Sequence, residues 1–280
     1  MSLSIFTSGS SMASINALNK SNSMLSTAME RLGTGKRINS AADDAAGMQI
    51  ASRLQGQSNG MAVAQRNISD ATAMLQTAEG AFDEVSNIMY RMKDLATQGA
   101  NDTNTQDDRD AINSELGELQ KELGNIMSNT SYGGEKLFAT GGKLSKDMNF
   151  QIGASAEEKM TVSLSGSLSA TASAITGLSS QLDIKDASGA QALMSSLETS
   201  LASVGTIRSS LGANINRLGH TAANLSNMKD NTELALGNIQ DADFASEASS
   251  MTRNQMLAQT SMSMLKQSNS MSGMVMSLLG

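Results

Sequence analysis

The stretch Met61–Ala96, MAVAQRNISDATAMLQTAEGAFDEVSNIMYRMKDLA, decides the fold. Met61, Ala64, Ile68, Ala71, Leu75, Ala78, Phe82, Val85, Met89, Met92 and Ala96 recur at alternating spacings of three and four. That is an unbroken a/d seam, and it predicts a coiled-coil helix. At ~1.5 Å of rise per residue this piece alone is roughly 50 Å long, too long for a compact small domain.

The same period returns on both sides. A second stripe runs Ile112, Leu116, Leu119, Leu123, Ile126. A third runs Leu211, Ile215, Leu218, Ala222, Leu225, with Leu197, Leu201 and Val204 ahead of it. Near the start, Met12, Ile15, Leu18, Leu25, Met29 and Leu32 form a shorter seam in which Asn22 takes one slot. Near the end the stripe is Leu257, Ser261, Met264, Ser268, Met271, Val275, Leu278. Both ends are therefore read as helices. The middle changes period: KDMNFQIGA and TVSLSGSLS alternate in Met148, Phe150, Ile152 and in Val162, Leu164, Leu168. This predicts a β-hairpin near 147–169. The uncharged ATASAITGLSSQ that follows reads as a loop. The expected fold class is mainly α: an elongated coiled-coil helical bundle with a small β-hairpin, its N- and C-terminal helices paired.

Composition supports a thin helical architecture. The 280 residues include no Pro, no Cys, no Trp and 21 Met. Nothing breaks helices from within, and Met fills irregular gaps where large aromatics are missing. Absence of Cys removes disulfides and thiolate chemistry. A net charge of -7 and a pI near 4.8 disfavour nucleic acid as a partner. No run of eighteen apolar residues is present, so membrane insertion is not expected. The start, MSLSIFTSGSSMASINAL, lacks the basic and apolar blocks of a Sec-type signal peptide.

Asp43 and Asp44 are adjacent, so on a helix they point about 100° apart and do not face each other. Ser40-Ala-Ala-Asp43 matches a capping pattern, and both aspartates are expected to open a helix. His220 is the lone histidine, which excludes a zinc cluster and an HExxH site. GTGK at 33–36 lacks the upstream Gly and the following Ser or Thr of a phosphate-binding loop. No catalytic, cofactor-binding or metal residues are expected, and no cofactor. The terminal stripes, with few charges and many Ser, Asn and Met, make helices that are marginal alone. They gain most by packing against copies of themselves, through Met12, Ile15, Leu18, Leu25, Leu257, Met264, Met271 and Leu278.

Long ordered segments resemble a known family, the bacterial flagellins. They are RLGTGKRINSAADDAAGMQIASRL (Arg31–Leu54), RNISDATAMLQTAEGAFDEVSNIMYRMKDLATQGAND, FQIGA, ANLSNMKDNTELALGNIQDADFASEASSMTRNQMLAQ and the closing SLLG. The likeness covers about 1–155 and 190–280. It implies a short form without variable outer domains, whose residues 1–42 and 236–280 make an inner terminal coiled-coil domain. Residues 43–235 would make an outer helical bundle carrying the hairpin. The joint between them falls on Arg37, Asn39, Asp43, Asp44 and Gly47.

The resemblance also implies a function: a subunit that self-assembles into the extracellular flagellar filament for swimming or swarming, exported without a Sec signal through the flagellar type III route. A hook–filament junction protein is the alternative within the same group. Implied partners are further copies of the chain, cap and junction proteins, an export chaperone on the C-terminal segment, and Toll-like receptor 5 in hosts. Receptor recognition maps by resemblance to Arg91, Leu95 and Glu115, with Tyr90 where strongly recognised members commonly carry Gln.

Overall fold

The computed structural model of the protein describes residues 9–279, with side chains described through Met271 and again at Met274. Helices α1 (Gly9–Thr34), α2 (Ala45–Gly99) and α3 (Gln106–Asn129) are followed by two short hairpins. These are β1 (Ser131–Tyr132) with β2 (Glu135–Lys136), and β3 (Met148–Gln151) with β4 (Lys159–Val162). Helices α4 (Ser165–Leu178), α5 (Ala187–Gln240) and α6 (Phe244–Leu279) complete the chain. The chain divides into two compact units. One comprises residues 58–229; the other combines the chain up to residue 57 with the chain from residue 230. The divisions at 57/58 and 229/230 differ from the expected 42/43 and 235/236. The start of α2 groups with the terminal helices rather than with residues 58–229.

In the unit of residues 58–229, one continuous hydrophobic cluster runs from Met61 to Leu225. All eleven residues of the opening stripe, Met61 to Ala96, are at most 3% exposed. The seam therefore faces the core along its whole length, against Leu116 and Leu123 of α3 and Leu197, Val204, Leu211 and Leu218 of α5. Phe82, the bulkiest side chain on the stripe, meets Phe138 with ring centroids 4.7 Å apart and planes tilted by 49°. That geometry lies between stacked and edge-on and suits the ring quadrupoles. Helix α3 begins with a capping box: the Thr105 hydroxyl accepts from the Asp108 amide, and the Asp108 carboxylate accepts from the Thr105 amide at 2.9 Å.

The middle segment corrects two expectations. Strands pair Met148 with Val162 and Gln151 with Lys159, so a hairpin forms, but it ends at Val162. Residues 165–178, read in part as strand and in part as loop, are helix α4. Leu164, Leu168, Thr171, Ile175 and Leu178 are all buried. Their spacing of four and three is helical; Leu164 and Leu168 fit an alternating reading only because two strand steps equal one helical step of four. The tiny β1–β2 hairpin lies outside the sequence expectation. Its turn is Gly133-Gly134, with φ of 60° and 83°, the left-handed pair a two-residue primed turn needs. The Gly-Gly dipeptide was the available signal.

In the other unit, α1 and α6 pair antiparallel. Ser10 and Ser11 share hydrogen bonds of 2.9 Å with Ser268, while Arg31 near the other end of α1 reaches Glu247 near the start of α6. The inward positions of α1 include Ser11, Ser14, Leu18, Ser21, Leu25, Ala28 and Leu32. On α6 they include Met251, Asn254, Ala258, Ser261, Leu265 and Ser268. Both sets keep the three-four spacing, but small and polar residues dominate them. The expected apolar stripes therefore miss this seam in part: Leu18, Leu25, Ser261 and Ser268 lie on it, and Met12, Ile15, Leu257, Met264 and Met271 do not.

Candidate assembly surface

The residues that the seam leaves out make an exposed apolar face on the terminal helices. Leu257, Met264 and Met271 stand one heptad apart on α6 and are 45%, 60% and 56% exposed. Met12 and Ile15 are exposed on α1, with Met24 and Met29 further along. Leu18 and Leu25 are half-buried against α6 of their own chain. The side chain of Leu278 lies outside the described residues. Taking 100° per residue, Leu257, Met264 and Met271 sit within about 40° of one another, on the flank of the seam beside Ser261 and Ser268 and about 80–140° from Ala258 and Leu265. Helix α6 thus carries two stripes: one that packs inward, with several small residues, and an adjoining thioether-rich stripe that is exposed among the described residues.

The segment between α1 and α2 is held by backbone and carboxylate bonds. Gly35, at φ 72°, turns the chain out of α1. Lys36 and Asp241 form a β-bridge, the Arg37 amide donates to the Gln240 carbonyl at 2.6 Å, and the Arg37 guanidinium donates to the Ile239 carbonyl at 3.0 Å. Asn39 adds a bond from its side-chain amide to the Lys36 carbonyl.

The two aspartates divide the remaining work. The Asp43 carboxylate accepts from the amides of Asn39 and Ser40 and from the Ser40 hydroxyl, at 2.9–3.1 Å. These donors, the Ser40 amide first, hold its pKa below the usual carboxylate range. Asp44 caps α2 by accepting from the Gly47 amide at 2.9 Å. The helix therefore starts at Ala45, and the cap is Asp44 rather than Ser40. Asp43 closes a turn one step earlier, so neither aspartate is in the first helical turn. The physical reason is that Asp44 offers the first free amides of α2 a charged acceptor, which outcompetes a hydroxyl. Gly47 is required where it stands: a Cβ there would come within 2.5 Å of the Asp44 carboxylate and 2.8 Å of Ile38 Cδ1.

The residues assigned to receptor recognition separate. Arg91 donates from Nε and Nη2 to one Glu115 oxygen, at 3.0 and 2.6 Å, joining α2 to α3 on the surface. Tyr90 beside them is exposed. Leu95 is 3% exposed and belongs to the core cluster. His220 is exposed on α5. Among the described residues no group of three His, Cys, Asp or Glu could hold a metal ion, and no helix is long and apolar enough to cross a membrane.

Comparison with known proteins agrees with this arrangement. Residues 5–143 match the bacterial flagellin N-terminal helical region, and residues 194–279 match the bacterial flagellin C-terminal helical region. The chain belongs to the bacterial flagellin family. Flagellin of Halalkalibacterium halodurans is 38% identical over 252 residues, covering 90% of each chain. Flagellin of Listeria innocua is 34% identical over 270 residues and 94% of each chain. Flagellin A of Vibrio anguillarum is 31% identical, with all of both chains aligned. Among solved structures, Bacillus cereus flagellin matches 57% of this chain and 88% of its own at 32% identity and a TM-score of 0.49. A putative flagellar hook-associated protein from Vibrio parahaemolyticus aligns over 71% of this chain and all of its own, with a TM-score of 0.59 and 18% identity, a likeness of fold.

As a flagellin of 280 residues, the chain is a short form. It is a structural subunit of the flagellar filament and not an enzyme.

Proposed function

We propose that the subunit polymerises through the exposed apolar face of its terminal helices, with Met12 and Ile15 of α1 and Leu257, Met264 and Met271 of α6 buried against neighbouring copies. One observation carries this reading: Ser, Ala and Asn share the internal α1–α6 seam with a few Leu and Met251, while Met12, Ile15, Leu257, Met264 and Met271 stand exposed on the outside. A helix pair built this way gains little from its own seam and much from a neighbour. Apolar burial stabilises by about 25 cal/mol per Å², so several such side chains covered per contact supply a substantial driving force. In this reading the terminal helices make the contacts of the inner layer of the filament, with Arg37, Asn39, Asp43, Asp44 and Gly47 fixing how the chain passes from α1 into α2. A filament reconstruction by electron microscopy tests the placement. Met264 and Met271 must contact a neighbouring copy; a map that leaves both facing open solvent sinks the idea.

The wider partners belong to the same proposal. Export without a Sec signal, extracellular placement, a chaperone on the C-terminal segment, and contacts with cap and hook-associated proteins follow from a filament role. Recognition by Toll-like receptor 5 is assigned to Arg91, Leu95 and Glu115, of which Arg91 and Glu115 reach the surface. Leu95 would act only from beneath that surface. A receptor reporter assay on Arg91→Ala and Glu115→Ala checks it, and an undiminished response in both would remove the assignment. A hook–filament junction role is separated by growth of purified protein into long filaments, which the filament reading requires.

A further inference from the structure

The methionines of this chain are sorted by exposure. Those of the 58–229 core, such as Met61, Met74, Met89 and Met92, are buried. Those of the terminal helices are open: Met256, Met262, Met264, Met271 and Met274 on α6 are each 46–60% exposed. Met12, Met24 and Met29 on α1 are exposed as well. The chain has no Cys and no Trp, so these thioethers are its most readily oxidised accessible groups.

We propose that the exposed thioethers of α1 and α6, Met264 and Met271 foremost, are oxidation sites of the free subunit, and that their conversion to sulfoxides switches polymerisation off reversibly. This rests on the assignment of that face to the filament interface. The oxidant is a peroxide or a hypohalous acid. With hydrogen peroxide, the sulfur gives an electron pair to one peroxide oxygen, an S–O bond forms, the O–O bond breaks, and the second oxygen leaves as water. A sulfoxide reductase supplied with a dithiol reverses the step, releasing the oxygen as water and leaving a disulfide.

The consequence follows from polarity. A thioether on this face loses little on burial, whereas a sulfoxide carries a strong acceptor that must be desolvated. Among the described residues the α1–α6 seam holds one thioether, the partly buried Met251, beside Ser21, Ala28, Asn254 and Ala258, so the outward face turns polar first and pairing of α1 with α6 survives mild oxidation. In the filament the same sulfurs are covered. Assembled subunits are therefore protected, and oxidation acts on subunits that have not yet joined.

The test treats full-length monomer and preformed filament with the same dilute hydrogen peroxide and maps added oxygen by peptide mass spectrometry. Met264 and Met271 should oxidise in the monomer well before Met61, Met89 and Met92, and should be protected in the filament. Oxidised monomer should polymerise with a critical concentration raised roughly tenfold or more per covered sulfoxide, and reductase treatment should restore it. A variant with Met12, Met256, Met264 and Met271 replaced by Leu should polymerise and keep doing so after peroxide. If the sulfurs oxidise equally in monomer and filament, the placement of the face is wrong. If the filament protects them but oxidised monomer polymerises normally, or the Leu variant loses competence as fast as the unmodified chain, the switch is wrong and the placement stands.

Discussion

Arg31 of α1 donates from Nη1 to the Glu247 carboxylate of α6 at 3.0 Å, joining residues 216 positions apart. Both side chains are largely covered, at 28% and 16% exposed, and Arg31 Nε is buried without a hydrogen-bond partner. This is a charged tie in a seam rich in small residues, and it helps fix which turn of α1 lies against which turn of α6.

Glu247→Gln should therefore loosen the terminal helix pair. A hydrogen bond to a charged group is worth about 1.5–3 kcal/mol, and Arg31 would lose its counter-charge in a partly covered site. Hydrogen exchange should speed up in α1 and α6 while α2 to α5 between residues 58 and 229 keep their protection. A uniform loss across the chain would mean that the pair does not act locally.

Gly47→Ala places a methyl group against Asp44 and Ile38. Either the cap or the buried Ile38 must move, at a cost of about 1–3 kcal/mol, as for other overpacked sites. The amide of residue 47 should lose its exchange protection, and thermal unfolding of the terminal unit should begin earlier. Gly33, with nothing near its Cβ position, is the control: Gly33→Ala should leave the chain no less stable.

Asp43 gives a pH dependence with a definite sign. Its carboxylate is held below the ordinary value of 3.8, first by the Ser40 amide, then by the Asn39 amide and the Ser40 hydroxyl. A folded value below the unfolded one means that the stabilisation is complete above the unfolded pKa and is lost as the pH falls through the folded one. The amide resonances of Asn39 and Ser40 should therefore titrate with a midpoint below 3.8. Asp43→Asn should abolish that titration, and a midpoint at or above the ordinary value would contradict the hydrogen-bond account.

Phe82→Ala probes the other unit. The ring is fully buried against Phe138, and aromatic-to-Ala changes in cores cost about 3–5 kcal/mol. Calorimetry should show the loss in the transition of residues 58–229. A change of under about 1 kcal/mol would mean that the site collapses around the cavity.

The sequence was most legible where burial and apolarity coincide. From Met61 to Ala96 each seam position faces a core, so the period of the letters is the period of the packing. It was least legible in the terminal pair, where Ser21, Ala28, Asn254 and Ala258 pack inward because small side chains let helices approach closely. There the apolar period marked the outward face in part, at Met12, Ile15, Leu257, Met264 and Met271, and the seam in part, at Leu18 and Leu25. Helix α4 was hidden by the same ambiguity of Leu164 and Leu168, whose spacing fits either period, and by a run of Ser and Ala that carries no strong propensity. At the start of α2 the pattern S-x-x-D was real, but the choice between Ser40 and Asp44 as cap depended on where the chain left its bridge to Asp241. That is a long-range fact.

The central claim is that the outward stripe of α6 drives assembly. The most direct measurement compares sedimentation and electron microscopy of the unmodified protein with those of the variant Leu257→Gln, Met264→Gln, Met271→Gln, at equal concentration and with circular dichroism of each monomer. All three positions are exposed in the single chain, and Gln is a good helix former of similar length to Met, so the monomers should have equal helix content. The unmodified protein should pellet as filaments and the variant should stay in the supernatant. A variant that pellets into the same filaments at the same concentration would contradict the account.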